Sequence, residues 1–211
     1  YWGTPLPVWQ CQNCKRTETV GSVKELSQKP TSGNSFFIMR HGYSERQITN
    51  TMSCWPEKNP FPLIPKGIQQ ALKGARELGK KKIDLIFSSD LLRTKQTAEI
   101  VGKELGIKPE FDERLREWNV GEFNGQPIEK LGEIWGKLNE TSEEHYLRRF
   151  IDPMPGGESY VDLQKRMYKF VQDINSKHKN KNILIVSHEM PLTLLETTML
   201  GLSRKEAIEF R

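Results

Sequence analysis

The chain has 211 residues, of which 36% are hydrophobic and 28% charged, and its formal net charge is +5 at pH 7. These values are typical of a globular protein with one sizeable domain, and they exclude a disordered or fibrous chain. We find no apolar run that could cross a bilayer and no secretory signal pattern, so we expect a cytoplasmic protein. The modest positive charge fits an anionic small substrate as well as it fits nucleic acid, so charge alone does not decide the partner.

Residues 1–35 differ in pattern from the rest of the chain. The run from Tyr1 to Trp9 contains two prolines, a glycine and two tryptophans, without helical or strand periodicity. Cys11 and Cys14 form a Cys-x-x-Cys pair, which is half of a structural zinc site, because such a site normally has four ligands. No other cysteine or histidine has a matching spacing, so we predict no complete metal site. A loop-like run before Phe36 then places a domain boundary after residue 35.

From Phe36 onward, strand and helix patterns alternate. Short apolar runs predict buried strands over residues 36–39, 83–87 and 183–186. Apolar spacing and breaker residues predict helices over residues 65–79, 94–105, 127–138, 160–174, 191–200 and 203–211. Residues 107–126 are predicted to form a strand followed by a loop. The alternation predicts an α/β fold of three layers, in which a mostly parallel central sheet has helices on both faces.

Basic residues follow each of these predicted strands. Arg40 and His41 come directly after the first strand, Arg93 comes shortly after the second, and His188 follows the third. Because parallel strands end at the same edge of a sheet, we expect these side chains to lie around one crevice. Two arginines and two histidines make a site for an anion, and the guanidinium fork suits phosphate in particular.

A phosphate site that contains histidine suggests nucleophilic catalysis. A neutral imidazole nitrogen can attack phosphorus and form a phosphohistidine, which water then cleaves. The arginines and the second histidine would stabilise the negative charge of the transferred group. The departing alkoxide needs a proton, so a carboxylic acid should lie nearby. This chemistry requires no metal and no other cofactor.

Six motifs over about residues 36–202 resemble those of the histidine phosphatase superfamily, which is also called phosphoglycerate mutase-like. In chain order they are Arg40-His41-Gly42, the run from Leu63 to Ala71, the run from Ser88 to Ala98, Leu115-Arg116-Glu117 with Gly121 and Phe123-Asn124-Gly125, Pro155-Gly156-Gly157-Glu158-Ser159, and Val186-Ser187-His188. The resemblance implies that family's three-layer α/β fold, and it implies hydrolysis of a phosphomonoester as the reaction.

The resemblance also implies a role for individual residues. His41 would be the nucleophile and Glu117 the proton donor, although Glu113 and Glu122 are close to Glu117 in the sequence. The phosphate-binding residues would be Arg40, Arg93, His188, Ser44 and Gln47.

The chain departs from the family pattern in three places. Tyr43 and Ser44 stand where the family usually has Glu-Thr, and Gln47 stands where it has an asparagine that touches phosphate. Glu189 follows the second histidine, where the family often has glycine. A carboxylate there would repel phosphate if it pointed inward, or it would serve as an acid. A final edge strand is also expected, whereas the chain ends soon after Leu202.

The first 26 residues resemble a different family. The run from Tyr1 to Trp9, the Cys-x-x-Cys pair, Gly21-Ser22 and Glu25-Leu26 are similar to a stretch of isoleucyl-tRNA synthetase that belongs to a zinc-binding element. The ATP-site signatures His-Ile-Gly-His and Lys-Met-Ser-Lys-Ser are not found here, so we expect no aminoacylation by this chain. The resemblance implies a phosphatase-like domain over residues 36–211 that is inserted in, or fused to, a synthetase.

Three functions remain open after this comparison of motifs. The first is hydrolysis of a small phosphorylated substrate, and the second is a phosphoglycerate mutase-type phosphotransfer. Mutases of this family have a longer segment between the acid and the second histidine, which favours hydrolysis. The third is a catalytically inert insert that recognises phosphate or tRNA for the synthetase. We expect no DNA partner and no membrane partner in any of these cases.

Overall fold

The computed structural model describes residues 32–131 and 150–200, together with the backbone of three short strands between residues 8 and 25. The strands are β1 (Val8–Gln10), β2 (Thr17–Thr19), β3 (Val23–Glu25), β4 (Ser35–Arg40), β5 (Leu85–Ser88), β6 (Glu110–Phe111) and β7 (Asn182–Ser187). The helices are α1 (Glu45–Thr49), α2 (Pro65–Gly79), α3 (Leu92–Leu105), α4 (Tyr160–Lys177) and α5 (Glu189–Met199). Two short 3₁₀ helices cover Glu113–Leu115 and Gly121–Phe123.

The central sheet has the strand order β3-β4-β7-β5-β6. Strands β4, β7, β5 and β6 run parallel, and β3 pairs with β4 in the antiparallel direction. A separate antiparallel pair is formed by β1 and β2. The last five residues of both β4 and β7 are buried, as expected for the central strands of a parallel sheet. The predicted mostly parallel sheet is confirmed.

Two apolar cores lie on opposite faces of this sheet, because successive strand residues point to opposite sides. On one face, β4 and β7 pack against apolar residues of α4 and α5, and their core residues there are Phe36, Ile38, Ile183 and Ile185. On the other face, the same strands pack against α2 and α3 through Phe37, Met39, Leu184 and Val186. Helices therefore cover both faces, and the predicted three-layer arrangement is confirmed.

The helix boundaries place Arg93 and Glu189 within helices. Arg93 lies in the first turn of α3. Helix α5 begins at Glu189, two residues before the predicted start at Pro191, so the prediction was wrong here. Proline is compatible with the first turn of a helix because the N–H that it lacks would have no partner there. His188 consequently occupies the N-cap position of α5, without a capping hydrogen bond from its side chain, and Glu189 is the first residue of the helix.

The sheet also extends into the N-terminal segment. Val23 pairs with Met39 and Glu25 pairs with Phe37, although residues 23–25 show no strand pattern in the sequence. The domain boundary at residue 35 remains a prediction. The helix predicted to start at Pro127 does not start there, because Pro127 forms an isolated bridge with Thr51. The remainder of that helix beyond residue 131, the Cys11 and Cys14 pair and the predicted helix over residues 203–211 lie outside the described residues. None of the described helices is long and apolar enough to cross a membrane.

Candidate active site

The candidate site lies at the carboxyl edge of the three adjacent strands β4, β7 and β5. Arg40, the last residue of β4, is in register with Ser187, the last residue of β7. His41 and His188 therefore follow at the same level, and their ring centroids are 5.3 Å apart. The convergence predicted for this edge is thus present in the structure.

His41 is held with one ring nitrogen available for attack. Its side chain is buried, and its Nδ1 is 2.8 Å from the carbonyl oxygen of Gly42. A carbonyl oxygen only accepts hydrogen bonds, so Nδ1 carries the proton and Nε2 keeps its lone pair. Nε2 accepts a hydrogen bond of 3.3 Å from Nε of Arg93. Burial, together with the charges of Arg93 and Arg40, holds the pKa of His41 well below the usual histidine range, so the ring is neutral at neutral pH.

The loop that follows His41 is pressed directly against helix α2. A Cβ atom on Gly42 would lie 2.4 Å from the carbonyl oxygen of Gly67, and one on Gly67 would lie 2.0 Å from that of Tyr43. No side chain fits at either position without separating the two segments of backbone. The backbone N–H of Gly42 also donates to Oγ1 of Thr97, at 3.0 Å. The loop that follows His41 is therefore fixed by α2 and α3 together.

His188 is oriented by a serine that the sequence analysis did not select. Its Nε2 is 3.0 Å from Oγ of Ser89, which itself accepts a hydrogen bond from the backbone N–H of Leu91. The serine hydroxyl can therefore donate to Nε2, and in that tautomer Nδ1 carries the proton of His188. Nδ1 has no hydrogen-bond partner among the described residues. Burial and the Arg93 charge lower the pKa of His188, so its ring is neutral at neutral pH.

Arg93 is 1% exposed and is anchored from the irregular segment between α1 and α2. Its Nη1 donates to Oγ of Ser53 at 3.1 Å, and its Nη2 donates to the carbonyl oxygen of Ser53 at 3.0 Å. Glu57 pairs with Nη1 at 3.5 Å and also accepts from the backbone N–H of Leu92 at 3.1 Å. Burial lowers the pKa of Arg93 to about 10, which leaves it charged at neutral pH. Ser53 and Glu57 were missed, since nothing periodic marks their segment.

Glu117 is the carboxylate that the structure brings to the histidines. Its Oε2 is 3.9 Å from Nδ1 of His188, and its Oε1 accepts from the backbone N–H of Trp118 at 2.9 Å. Burial raises the pKa of Glu117, and the charge of Arg93 opposes this effect. The side chain of Glu113, in contrast, is 75% exposed and pairs with Arg116. Burial and position therefore favour Glu117 as the acid.

The glycine-rich motif at residues 155–159 supports the Glu117 segment. Glu158 accepts a hydrogen bond from the backbone N–H of Asn119 at 2.9 Å, and its carbonyl oxygen accepts from Nε1 of Trp118 at 2.7 Å. Arg166 of α4 pairs with the Glu158 carboxylate at 2.8 Å and donates to the carbonyl oxygen of Glu117 at 3.0 Å. The contacts of this motif thus hold the segment that carries Glu117.

Ser44 and Gln47 interact with each other. Ser44 is fully buried, and both its backbone N–H and its hydroxyl donate to Oε1 of Gln47, at 2.9 and 2.7 Å. Nε2 of Gln47 is buried and has no hydrogen-bond partner among the described residues. The amide nitrogen of Gln47 thus remains able to donate to an anion, whereas the Ser44 hydroxyl is used to orient it. Their contact with phosphate remains a prediction.

Arg40 and Glu189 form an ion pair at this edge of the sheet. Nη2 of Arg40 is 3.1 Å from Oε2 of Glu189. The Arg40 side chain is only 6% exposed, whereas that of Glu189 is 47% exposed. The carboxylate that departs from the family pattern therefore turns toward a candidate phosphate ligand rather than away from it.

Residues 36–211 match the model of the histidine phosphatase superfamily (branch 1). Over 171 residues the chain is 33% identical to the probable phosphoglycerate mutase GpmB of Salmonella choleraesuis, covering 79% of this chain and 74% of that one. Over 170 residues it is 32% identical to the putative phosphoserine phosphatase 2 of Hydrogenobacter thermophilus, covering 79% of this chain and 78% of that one. The matched family region begins at residue 36 and so leaves the synthetase-like segment outside it.

Solved structures of this fold include YhfR of Bacillus stearothermophilus, with a TM-score of 0.67, 26% identity and coverage of 82% of this chain and 83% of that one. A mycobacterial glucosyl-3-phosphoglycerate phosphatase has a TM-score of 0.69 at 24% identity, with coverage of 82% and 83%. At that identity it supports the fold alone. From the matched family model and these sequence identities, the chain belongs to branch 1 of the histidine phosphatase superfamily.

Proposed function

We propose that this protein is a phosphomonoester hydrolase that acts through a phosphohistidine at His41. The observation that carries the proposal is the state of the His41 ring. Nδ1 is committed to the Gly42 carbonyl, and the lone pair of Nε2 faces the Arg93 guanidinium. An incoming phosphoryl group that takes over this guanidinium contact would place its phosphorus atom next to Nε2.

The first step transfers the phosphoryl group to the enzyme. Nε2 of His41 forms a bond to phosphorus as the bond to the ester oxygen breaks, and protonated Glu117 gives its proton to the departing alkoxide. Arg40, Arg93 and the Nδ1–H of His188 stabilise the charge on the equatorial oxygens. In the second step, Glu117 removes a proton from water, the water oxygen attacks phosphorus, and the bond to Nε2 breaks to release inorganic phosphate.

The relatives differ in the reaction that their names give. One is named as a phosphoserine phosphatase and another as a phosphoglycerate mutase, so the names alone leave hydrolysis and transfer open. We favour hydrolysis because only 71 positions separate Glu117 from His188, which is short for a mutase of this family.

The proposed function is tested by phosphate release from an aryl phosphate in the presence of a metal chelator. We expect turnover, together with phosphorylation of His41 that is trapped by alkaline quenching and located by peptide mass spectrometry. Isomerisation of a phosphoglycerate without phosphate release would instead support the mutase alternative. If the folded protein catalyses neither hydrolysis nor isomerisation, an enzymatic function is contradicted.

The proton-donor role of Glu117 makes a prediction about pH and leaving group. In Glu117→Gln, kcat/KM should fall by about 10²- to 10⁴-fold for an alkyl phosphate, but far less for an aryl phosphate, whose leaving group needs no proton. Burial raises the pKa of Glu117, so the acid stays protonated to a higher pH than usual. Alkyl ester turnover in the wild type should therefore decline only as the pH rises through that raised value, and the variant should lose this decline. Equal losses for both esters would argue against the role, and Glu113→Gln is the matched control.

Involvement of tRNA is a second proposal, and it is supported only by the synthetase-like residues 1–26. Under this proposal the domain is an accessory unit of a synthetase in the cytoplasm. If it recognises RNA without catalysis, tRNA affinity should survive His41→Ala and should fall steeply as the salt concentration rises.

A further inference from the structure

The ion pair between Arg40 and Glu189 affects the balance of charge in this site. Both arginines that are expected to hold phosphate have a carboxylate partner: Glu189 is 3.1 Å from Arg40, and Glu57 is 3.5 Å from Arg93. Their positive charge is therefore largely offset before a substrate enters. Glu117 adds a third carboxylate whenever it is ionised.

Of these carboxylates, Glu189 is the one that a substrate's organic group would meet. Glu57 is 19% exposed and is tied to the start of α3, and Glu117 is 19% exposed beside His188. Glu189 is 47% exposed, directly follows His188 in the chain and faces the arginine that directly precedes His41. It thus lies at the rim of the phosphate site, where the part of the substrate beyond the ester oxygen would extend.

Phosphate binding does not require Glu189 to leave. An arginine carries five N–H donors in a planar fork, and the ion pair with Glu189 is made through Nη2, whereas Nε and Nη1 of Arg40 are buried and make no hydrogen bond within the described residues. A phosphate oxygen can bind elsewhere on the same guanidinium while the carboxylate stays in place. The organic group of the substrate would then lie near the negative charge of Glu189, on the exposed side of the site.

We propose that Glu189 selects substrates by the charge of the group beside the phosphate. It favours phosphomonoesters that carry an ammonium group near the ester oxygen, and it disfavours those that carry a carboxylate there. This inference rests on the proposed hydrolase function, because it concerns the substrate class of the same site. The positive charge of Arg46 in α1 opposes this selection, because it also reaches the site, where it acts to lower the pKa of Glu117.

The experiment compares three small esters that differ mainly in one charge: 2-aminoethyl phosphate, 2-hydroxyethyl phosphate and phosphoglycolate. In the wild type we expect kcat/KM to decrease in that order, with the ammonium ester about tenfold or more above the carboxylate ester. In Glu189→Gln this ratio should shrink by about tenfold, because the carboxylate ester gains and the ammonium ester loses. Higher salt should reduce the wild-type ratio, since Glu189 is half-exposed. Glu104→Gln, on an exposed position of α3, is the control.

The outcomes separate this inference from the proposed function. If none of these esters and no aryl phosphate is hydrolysed, the hydrolase function itself fails. If all are hydrolysed and the ratio is the same in wild type and Glu189→Gln, or if the wild type prefers phosphoglycolate, selection by Glu189 is refuted while the hydrolase function stands. A uniform loss on the three alkyl esters, with aryl phosphate turnover retained, would identify Glu189 as a proton donor instead and would overturn the selection proposal.

Discussion

Replacing His41 with alanine is expected to lower turnover of an aryl phosphate by roughly 10⁴-fold or more, because loss of a nucleophile removes the covalent route altogether. His188 is poorly placed to replace it, because its ring centroid is 5.3 Å from that of His41 and its Nε2 is hydrogen-bonded to Ser89. The measurement is steady-state phosphate release, paired with the alkaline trapping of phosphoenzyme, which the variant should not form.

Two controls make the His41→Ala result specific. His178→Ala removes a histidine that contacts Phe87 rather than the site, and its turnover should match the wild type. The His41→Ala variant should also still bind inorganic phosphate, because Arg40, Arg93 and His188 remain, which shows that the site is folded. Turnover of His41→Ala within tenfold of the wild type would exclude a phosphohistidine at this position.

Arg93→Ala is expected to reduce kcat by about 10²- to 10³-fold, the usual effect of removing one preorganised donor to transition-state charge. Arg93→Lys should recover only part of this loss, because an ammonium group cannot reproduce the fork that reaches Ser53 and the phosphoryl oxygens together. Arg76→Ala, on the exposed side of α2, is the control. Unchanged kinetics in Arg93→Ala would remove this residue from the site.

The same substitution should also destabilise the fold, and the two effects can be separated. Removing Arg93 leaves the largely buried Glu57 carboxylate without its ion-pair partner, which costs about 1–3 kcal/mol in the free energy of unfolding. Adding Glu57→Gln to Arg93→Ala should return part of that free energy in denaturant unfolding. It should not restore kcat, because the guanidinium is still absent. Recovery of kcat in the double variant would mean that Arg93 acts only by holding the fold.

The sequence was sufficient for the layers of the fold because their causes are local. The apolar run of β4 and the three- and four-residue spacing of α4 reflect burial that each element achieves along its own length. The meeting of His41 with His188 was equally predictable, since parallel strands end at one edge. Strand β3 was missed because residues 23–25 are held by pairing with β4 and not by an alternating pattern of their own.

The support of the site was not predictable, because it depends on contacts between distant segments. Ser53 and Glu57 lie in a stretch without periodicity, and that stretch is shaped by residues far away: the backbone N–H of Cys54 donates to Asn124 at 3.2 Å. Ser89 lies in a recognised motif, yet nothing local indicates that its hydroxyl orients His188. The direction of the Glu189 side chain likewise depends on Arg40, almost 150 residues earlier.

The contact between Gly42 and Gly67 changes how these two residues should be understood in the sequence. Taken locally, one glycine follows a strand and the other sits in the first turn of a helix, and each would be explained by its own conformation. In the structure the two glycines, 25 residues apart along the chain, lie where the loop after β4 and the start of α2 come into backbone contact. A Cβ atom on either residue would collide with the backbone of the other segment, so this close approach requires glycine at both positions. The loop that carries His41 is therefore packed backbone to backbone on helix α2, so a substitution that shifts the helix here would also shift that loop.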